Sequence, residues 1–374
     1  PGGPRGWATR GDFWRFLRGR LLSSDKDVVA PEGHALSAEE AAAGWEAVRG
    51  DKLQWLGHSA FRWQLGGTVL LSDPLLTDRA SPFRWAGPKR FIASPLGPEE
   101  AGCDVVLITH CHYDHLDLRT LRRLGRREFK PGAVGSRTGI GGRTLPFKPR
   151  ERGALGDRTL PFEPGEHGAL GDSTLPFELR ERGALGDRTP RWSLRVVVPL
   201  GVGRMVRRSG LTDITELDWH EPVTVGDGVT VTLVPAVHFA ARTVWDRDWS
   251  LWGGYVVRRG DLRVYLSGDT AYHPTLFREM GERYGPLDYG LVPIGAYEPQ
   301  AIMVEHHATP EEGVAIGRDV QARRLIGHHW GALRLTTEDP FEPPGRFREA
   351  ARQAGFADEA AVVMRIGETR ALMP

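Results

Sequence analysis

Three histidines and an aspartate lie within six consecutive positions of the sequence, in the segment THCHYDH at 109–115. Imidazole and carboxylate groups are ligands that zinc and related divalent ions prefer. Because alternate residues of an extended chain point to the same side, His110 and His112 can hold one ion together. If the chain then turns into a helix, Asp114 and His115 face a second ion nearby. Four ligands from one loop would nearly fill a single tetrahedral site, so we predict two adjacent ions with further ligands downstream.

Regular strands would deliver those further ligands to the same place. The segment follows the apolar run 105–108, which predicts a buried strand. Three later apolar runs predict strands that also end in a candidate ligand: 229–235 before His238, 263–267 before Asp269, and 325–327 before His328 and His329. Chance rarely places such residues at the ends of several strands, whereas a shared metal site requires it.

The H-x-H-x-D-H spacing after a buried strand resembles the signature of the metallo-β-lactamase superfamily. This resemblance implies an α+β fold, a four-layer αββα sandwich that carries its metal ions at one edge. It implies two zinc ions, although other divalent transition metals would suit the same ligands. The resemblance assigns His110, His112 and His238 to the first ion. It assigns Asp114, His115 and His329 to the second ion, and Asp269 to both. The family motif ending in H-W-G selects His329 over its neighbour His328.

The opening strands add two candidate residues. Residues 53–63 and 68–74 predict two strands around a Gly-Gly turn. The G-H-S-A-F and D-P patterns within them are similar to the opening of the same superfamily, which implies that Asp73 supports the metal ligands from behind. A ligating histidine usually needs an oxygen at its other ring nitrogen, so this aspartate has a physical task. His58 either lines the pocket or is a buried histidine bonded to backbone.

Other blocks narrow the resemblance to the branch of N-acyl-phosphatidylethanolamine-hydrolysing phospholipase D. They read DRASP at 78–82, GPKR at 87–90, and YEP at 297–299 before the histidine pair at 306–307. The branch implies a phospholipid or other phosphodiester substrate, with phosphatidic acid and N-acylethanolamine as products. Two adjacent divalent ions suit this reaction because they activate water and polarise a phosphoryl oxygen.

The same branch implies roles for individual residues. It gives His307 a role as an auxiliary acid or base or as a leaving-group contact, whereas we expect His306 to face outward. The predicted catalytic residues are Asp114, Asp269 and His307, and the predicted substrate contacts are His58, Arg242 and Tyr297. Arg242 is a phosphate contact in one interpretation and a structural surface arginine in the other.

Composition excludes several classes of protein. The 374 residues hold 49 Lys and Arg against 48 Asp and Glu, and this balance gives no reason to expect a nucleic-acid partner. Two cysteines exclude a disulfide framework and favour a reducing compartment. No run approaches the roughly 20 apolar residues of a membrane span. We therefore expect a cytoplasmic protein, and the sequence leaves open whether it forms a homodimer.

We divide the chain into a basic and aromatic N-terminal extension at 1–50 and a hydrolase domain at 51–374. Within the extension, 13–22 predicts either a helix at the inner membrane face or a terminal helix packed on the enzyme. The domain is interrupted at 130–191 by a Gly-, Pro- and Arg-rich segment that repeats every 15 residues. Each copy offers little to a core, so we predict a disordered or loosely extended insertion, with a lid or a partner-binding arm over the site as the alternative.

Two other functions are compatible with the sequence. A lactonase, or a hydrolase of cyclic or soluble phosphodiesters from the related sugar-lactone branch, would use the same metals on a soluble substrate. From a different class, the repeats could make the chain an envelope-associated interaction protein whose metals are incidental. Deletion of 130–191 distinguishes these classes, because an enzyme would keep its turnover whereas an interaction protein would lose its partner.

Overall fold

The computed structural model describes residues 28–126, 194–243 and 245–374. The predicted helix at 13–22 and the predicted insertion at 130–191 lie outside these ranges, so both stay predictions. In the described part of the chain, no helix is long and apolar enough to cross a membrane. The predicted α+β class is confirmed, since this part forms two mixed sheets together with helices.

Strands and helices are numbered separately in chain order. The strands are β1 (Lys52–Trp55), β2 (Phe61–Leu65), β3 (Thr68–Ser72), β4 (Val105–Leu107), β5 (Arg195–Pro199), β6 (Ile214–Leu217), β7 (Pro222–Gly226), β8 (Val229–Val234), β9 (Gly254–Arg259), β10 (Leu262–Leu266), β11 (Leu287–Pro293), β12 (Ala322–His328), β13 (Ala361–Val362) and β14 (Thr369–Ala371). The helices are α1 (Ala38–Ala47), α2 (Leu118–Leu124), α3 (Gly203–Val206), α4 (Pro274–Tyr284), α5 (Gln300–Met303), α6 (Pro310–Asp319) and α7 (Pro343–Gln353). Short 3-10 turns lie at Arg207–Ser209 and Asp358–Ala360.

Each sheet has an antiparallel part and a parallel part. The first has the order β14-β1-β2-β3-β4-β5-β6 and is parallel from β3 to β6. The second has the order β13-β12-β11-β10-β9-β8-β7 and is parallel from β13 to β10. Because β8 and β10 both pair antiparallel with β9, they run in the same direction as β11 and β12. All four therefore end at one edge of the second sheet.

The first sheet buries both of its faces. On β4, Val105 and Leu107 belong to the core between the sheets, whereas Val106 belongs to a second core that includes Leu121 of α2. This division follows from the two-residue period of a strand. Helix α6 contacts β11 and β12 of the second sheet. Helices thus pack on both sheets, as the four-layer prediction requires.

Two helix starts that the sequence indicates are present. The Ser37 hydroxyl accepts a hydrogen bond from Glu40 N at 3.1 Å, and the Glu40 carboxylate accepts one from Ser37 N at 2.8 Å. Thr309 and Glu312 form the same reciprocal pair at the start of α6. Such a capping box satisfies backbone donors that the first helical turn leaves free. The second box therefore fixes where α6 begins, directly after the histidine pair at 306–307.

The strand predicted over 53–63 is in fact two strands. β1 ends at Trp55 and β2 begins at Phe61. Between them, Gly57 and His58 have φ values of +91° and +56°. Extended strands require negative φ, so the chain must leave the sheet at these residues. The break brings His58 to the edge where β12 ends.

Phe277 of α4 is completely buried in the main core. Replacing Phe277 with Ala would leave a cavity, so we expect the free energy of unfolding to fall by roughly 3–5 kcal/mol in urea titrations. Glu279 is an exposed residue on the same helix, and Glu279→Ala should change stability by less than about 0.5 kcal/mol. Equal losses in the two variants would contradict a core role for Phe277.

Candidate metal centre

The loop at 109–117, which we call the metal loop, joins β4 to α2. A tight turn shapes its middle, since the carbonyl oxygen of His112 accepts bonds from the backbone N–H groups of His115 and Leu116 at 3.2 and 2.8 Å. Asp117 then caps α2. This turn, rather than the start of a helix, separates the first two histidines of the loop from its aspartate–histidine pair.

Three imidazoles meet on one side of the cluster, and we call them the first group. His110 Nε2 lies 2.8 Å from His112 Nδ1, and His112 Nδ1 lies 3.2 Å from His238 Nε2. His238 arrives from the end of β8. These nitrogens all lie within 4.8 Å of one another, as the ligands of one ion must.

The second group combines a carboxylate with two imidazoles. Asp114 Oδ2 lies 3.3 Å from His115 Nε2 and 3.5 Å from His329 Nε2. His329 directly follows β12, and its ring stacks on that of His115 with 5.5 Å between centroids. The structure thus brings together Asp114, His115 and His329, the three residues that the resemblance assigns to the second ion.

A single carboxylate oxygen lies between the two groups. Asp269 Oδ2 is 3.1 Å from His329 Nε2 and 3.2 Å from His115 Nε2 in the second group. It is also 4.0 Å from His110 Nε2 and 3.9 Å from His238 Nε2 in the first group. The side chain of Asp269 follows β10 and is almost completely buried. Asp269 could therefore serve as a ligand on the side of either group.

Two nitrogens of the second group test whether metals fit here. Nε2 of His115 and Nε2 of His329 are buried and have no hydrogen-bond partner among the described residues. A buried polar atom without a partner is costly, and folded proteins rarely leave one without a reason. Both nitrogens point towards the Asp269 oxygen. A divalent cation bound between them would satisfy these atoms, so the residues present fit the metals that the sequence predicts.

The first group consists of neutral imidazoles. Burial, reinforced by the neighbouring imidazoles, lowers the pKa of His110 and of His238 well below the usual range. Burial likewise lowers the pKa of His112 to about 4. A metal ion binds the lone pair of a neutral imidazole. These three rings are therefore already in the protonation state that a metal needs.

In the second group, the carboxylates of Asp114 and Asp269 shift the pKa of a neighbouring imidazole. Burial alone would lower the pKa of His329, but Asp269 and Asp114 outweigh it and raise that pKa to about 9. Burial alone would raise the pKa of Asp269, but His115 and His329 hold it well below its usual range. The same pairing therefore keeps Asp269 ionised and favours a positive charge on His329. A divalent cation bound here would take the place of the ring proton opposite these carboxylates.

Oxygen atoms fix the orientation of two ligating rings from behind. His115 Nδ1 donates to Asp73 Oδ2 at 2.8 Å. Asp73 in turn accepts bonds from the backbone N–H and the hydroxyl of Thr109 at 2.8 and 2.6 Å. His238 Nδ1 donates to the carbonyl oxygen of His306 at 2.8 Å. Each bond places the ring proton on Nδ1 and leaves the Nε2 lone pair facing the cluster.

Arg242, one of the predicted substrate contacts, is bonded to the metal loop itself. Its Nη1 donates to the carbonyl oxygens of Cys111 and Leu116 at 2.8 and 2.9 Å, and its guanidinium lies over the ring of Tyr113 at 3.9 Å. It therefore clamps the metal loop rather than presenting Nη1 to a phosphate. Cys111 is buried in the core beneath the loop, where it packs as a small apolar residue.

Tyr297, another predicted substrate contact, is packed inside the fold. Its side chain is 2% exposed, and its hydroxyl donates to Glu342 Oε2 at 3.2 Å. The guanidinium of Arg346 lies over its ring at 4.7 Å. Tyr297 thus joins the start of α7 to the loop after β11, and its contact with substrate stays a prediction.

The histidine pairs of the sequence separate in the structure. His328 is completely buried and bonds to the hydroxyls of Ser59 and Ser267 at 3.3 and 3.0 Å, which leaves His329 to face the cluster. His307 Nδ1 lies 4.0 Å from Asp269 Oδ2, at the rim of the centre. His306, which we expected to face outward, is half-buried instead.

His58 has a role that the sequence did not reveal. Its Nε2 donates to Asp114 Oδ2 at 2.9 Å, and its ring lies 4.1 Å from that of His329. Its carbonyl oxygen accepts a bond from His329 N at 3.1 Å and from Trp55 Nε1 at 2.8 Å. His58 also lines a small cavity beside His329. It therefore positions two ligands of the second group, and the only sequence signal was a Gly-His pair inside a predicted strand.

Loss of the His58 ring should weaken metal binding at the second group. We choose His58→Asn, because Asn tolerates the left-handed backbone of this residue while its short amide cannot reach Asp114 as the ring does. Support of this kind is worth about 10–100-fold in metal affinity. Metal analysis after gel filtration should show a fall from about two ions per chain towards one. Retention of two tightly held ions would contradict the positioning role.

Known proteins share the sequence pattern of this chain. The family model described as "Beta-lactamase superfamily domain" matches residues 68–181 and 177–330. An N-acyl-phosphatidylethanolamine-hydrolyzing phospholipase D of Caenorhabditis elegans is 29% identical over 361 residues, covering 93% of this chain and 82% of that protein. The mitochondrial protein of the same name from Saccharomyces cerevisiae is 26% identical over 310 residues, covering 81% of this chain and 52% of that protein. This chain thus spans about half the length of the yeast relative.

A solved structure supports the fold. A metallo hydrolase from the hyperthermophilic archaeon Ignicoccus hospitalis superposes with a TM-score of 0.52 at 18% identity, covering 86% of this chain and 97% of the other. The family match, the fold and the cluster of His and Asp ligands agree with one another. The chain therefore belongs to the metallo-β-lactamase superfamily and is a metal-dependent hydrolase.

Proposed function

We propose that this hydrolase is a dinuclear zinc phosphodiesterase of the phospholipase D type. Its substrate would be N-acyl-phosphatidylethanolamine, and its products phosphatidic acid and N-acylethanolamine. The observation that carries the proposal is the position of Asp269 Oδ2, which lies within 4.0 Å of ligand atoms in both groups. The names of the worm and yeast relatives support the choice of substrate.

The chain supplies a complete ligand set for this chemistry. The first group would hold one ion and the second group the other, with Asp269 shared between them. When bound, two such ions provide Lewis acidity towards a phosphoryl oxygen and activate a water molecule. Asp73 holds His115, and the His306 carbonyl holds His238, in the tautomers that this task requires. Arg242 holds the metal loop through its backbone carbonyls, and His58 holds Asp114 of the second group.

The bonds exchanged in the reaction show that the leaving group also needs a contact. An oxygen–phosphorus bond forms from water while the bond from phosphorus to the ethanolamine oxygen breaks. The hydroxyl of water stays on phosphorus, and its remaining proton ends on the departing alcohol. A group near the shared carboxylate must therefore contact the leaving oxygen, because an unassisted alkoxide is a poor leaving group.

His307 is the residue that we propose for that contact. Its Nδ1 is buried, has no hydrogen-bond partner among the described residues and lies 4.0 Å from Asp269 Oδ2. Burial lowers the pKa of His307 to about 3, so its ring is neutral at physiological pH. When Nδ1 carries the ring proton, it can donate a hydrogen bond to an oxygen of the phosphodiester.

Replacement of His307 should reduce turnover without loss of metal. We expect His307→Gln to lower kcat by roughly 10²–10⁴-fold, the usual worth of a positioned acid or base. The matched control is His306→Gln, since it keeps the backbone carbonyl that orients His238. The measurements are kcat on the phosphodiester and metal content of each variant. Unchanged kcat in His307→Gln, or an equal loss in the control, would exclude a direct role for His307.

The substrate itself is tested with purified, zinc-loaded protein and N-acyl-phosphatidylethanolamine in mixed micelles. Mass spectrometry should detect phosphatidic acid and N-acylethanolamine in equal amounts. His112→Ala, which removes a ligand of the first group, should abolish both products. Protein that holds about two metals, yet turns over only lactones or soluble phosphodiesters, would overturn the lipid substrate and support the alternative branch.

A further inference from the structure

Large aromatic side chains are exposed on two loops of this protein. Trp245 is 82% exposed and Trp249 52% exposed in the loop at 239–252. Trp85 is 79% exposed and Phe83 55% exposed in the loop at 78–90. Tryptophan carries one of the largest apolar surfaces of any side chain, and clusters of such surface left in water mark interaction sites. We call these two segments the aromatic loops.

Both aromatic loops adjoin the metal loop at the same residue. Tyr113 packs against a small apolar cluster that includes Ala80 of the first aromatic loop. Arg242 of the second aromatic loop lies over the ring of Tyr113 at 3.9 Å. Tyr113 stands between the ligands His112 and Asp114 in the sequence. The exposed aromatic residues therefore belong to segments that border the metal centre.

The second aromatic loop also reaches the first group of ligands. The ring of Phe239 lies 4.6 Å from that of His112, and the guanidinium of Arg247 lies over the Phe239 ring at 4.2 Å. Phe239 thus forms part of the rim. Arg247, which contacts Phe239, lies between Trp245 and Trp249 in the sequence of the same loop. The loop that carries Trp245 and Trp249 therefore borders the edge of the centre.

Charge indicates what would cover this surface. The loop at 78–90 contains Arg79, Arg84 and Lys89 against the single acid Asp78, and its fourth basic residue, Arg90, is buried and bonded to backbone carbonyls. Arg84 and Lys89 are exposed beside the aromatic side chains. Tryptophan prefers the headgroup level of a bilayer, where its ring is apolar and its N–H stays hydrated. Basic residues at the same level attract anionic lipids. A bilayer surface matches both properties.

We propose that the aromatic loops form a membrane-binding surface that holds the metal centre against a bilayer containing anionic lipid. Trp85 and Trp245 insert at the headgroup level, and Arg84 and Lys89 contact lipid phosphates. The benefit to catalysis rests on the proposed lipid substrate, which such a surface would present beside Phe239. The surface is separate from the helix predicted at 13–22.

The test uses the full chain and co-sedimentation with vesicles of phosphatidylcholine, with or without phosphatidylglycerol. The double variant Trp85→Ala/Trp245→Ala should partition into vesicles at least about tenfold more weakly, because binding scales with buried apolar area. The control is Met373→Ala. Met373 is 59% exposed, and its backbone N–H bonds to Tyr289 near the start of β11, at the opposite end of the strands from the centre. This variant should bind as the unmodified protein does.

A second double variant tests the electrostatic part. Arg84→Gln/Lys89→Gln should lose about fivefold in partitioning for each charge, and only with vesicles that contain phosphatidylglycerol. Equal losses on both kinds of vesicle would contradict a role in binding anionic lipid. Thermal unfolding of every variant should match that of the unmodified chain, since all five substituted side chains are exposed.

Three results would overturn the inference. The unmodified chain could fail to sediment with either vesicle, the tryptophan variant could bind as well as the unmodified chain, or the tryptophans could instead support a dimer in solution. Vesicle binding requires no turnover, so the two proposals are separable. Bound protein that does not cleave N-acyl-phosphatidylethanolamine would overturn only the proposed function, and cleavage in micelles without vesicle binding would overturn only this inference.

Discussion

The shared carboxylate of Asp269 is the interaction on which the centre depends. Its Oδ2 lies 3.1–4.0 Å from imidazole nitrogens of both groups. Five imidazoles could not face one another at such distances as cations, because like charges repel strongly in a buried site. The first group meets this constraint by staying neutral, and the second by pairing with Asp114 and Asp269. The strands β8, β10 and β12 must therefore end in register, since a shift of one residue would turn each ligand to the opposite face.

Three residues at the ends of strands that build the centre have a strained backbone. His58, Asp73 and His329 have positive φ values of 56°, 41° and 64°, although none is glycine. Such residues cost on the order of 1–3 kcal/mol each and persist only where surrounding bonds hold them. Here Asp73 N donates to Leu107 O at 2.9 Å, and His329 N donates to His58 O at 3.1 Å. The left-handed turn after β3 and the one after β12 redirect a side chain towards the cluster.

Some features of the centre could be predicted from the sequence, and others could not. His and Asp at the ends of apolar runs were recognisable, because strand ends and ligand chemistry are both local properties of the sequence. The contacts of Arg242 were not, since its acceptors at Cys111 and Leu116 lie more than a hundred positions away. His58 was ambiguous because its neighbours read as one continuous strand. The roles of Arg242 and His58 depend on long-range hydrogen bonds, which residue types alone do not reveal.

The connection between β4 and β5 shows why a long interruption is compatible with this centre. Helix α2 ends at Leu124 and β5 begins at Arg195, yet the two strands pair directly, with Val105 opposite Arg195. Every ligand of the two groups, and the shared Asp269, comes from outside the segment between α2 and β5. The sheet therefore fixes the metal centre through pairing on both sides of the crossover, and the length of chain between α2 and β5 can vary without moving a ligand.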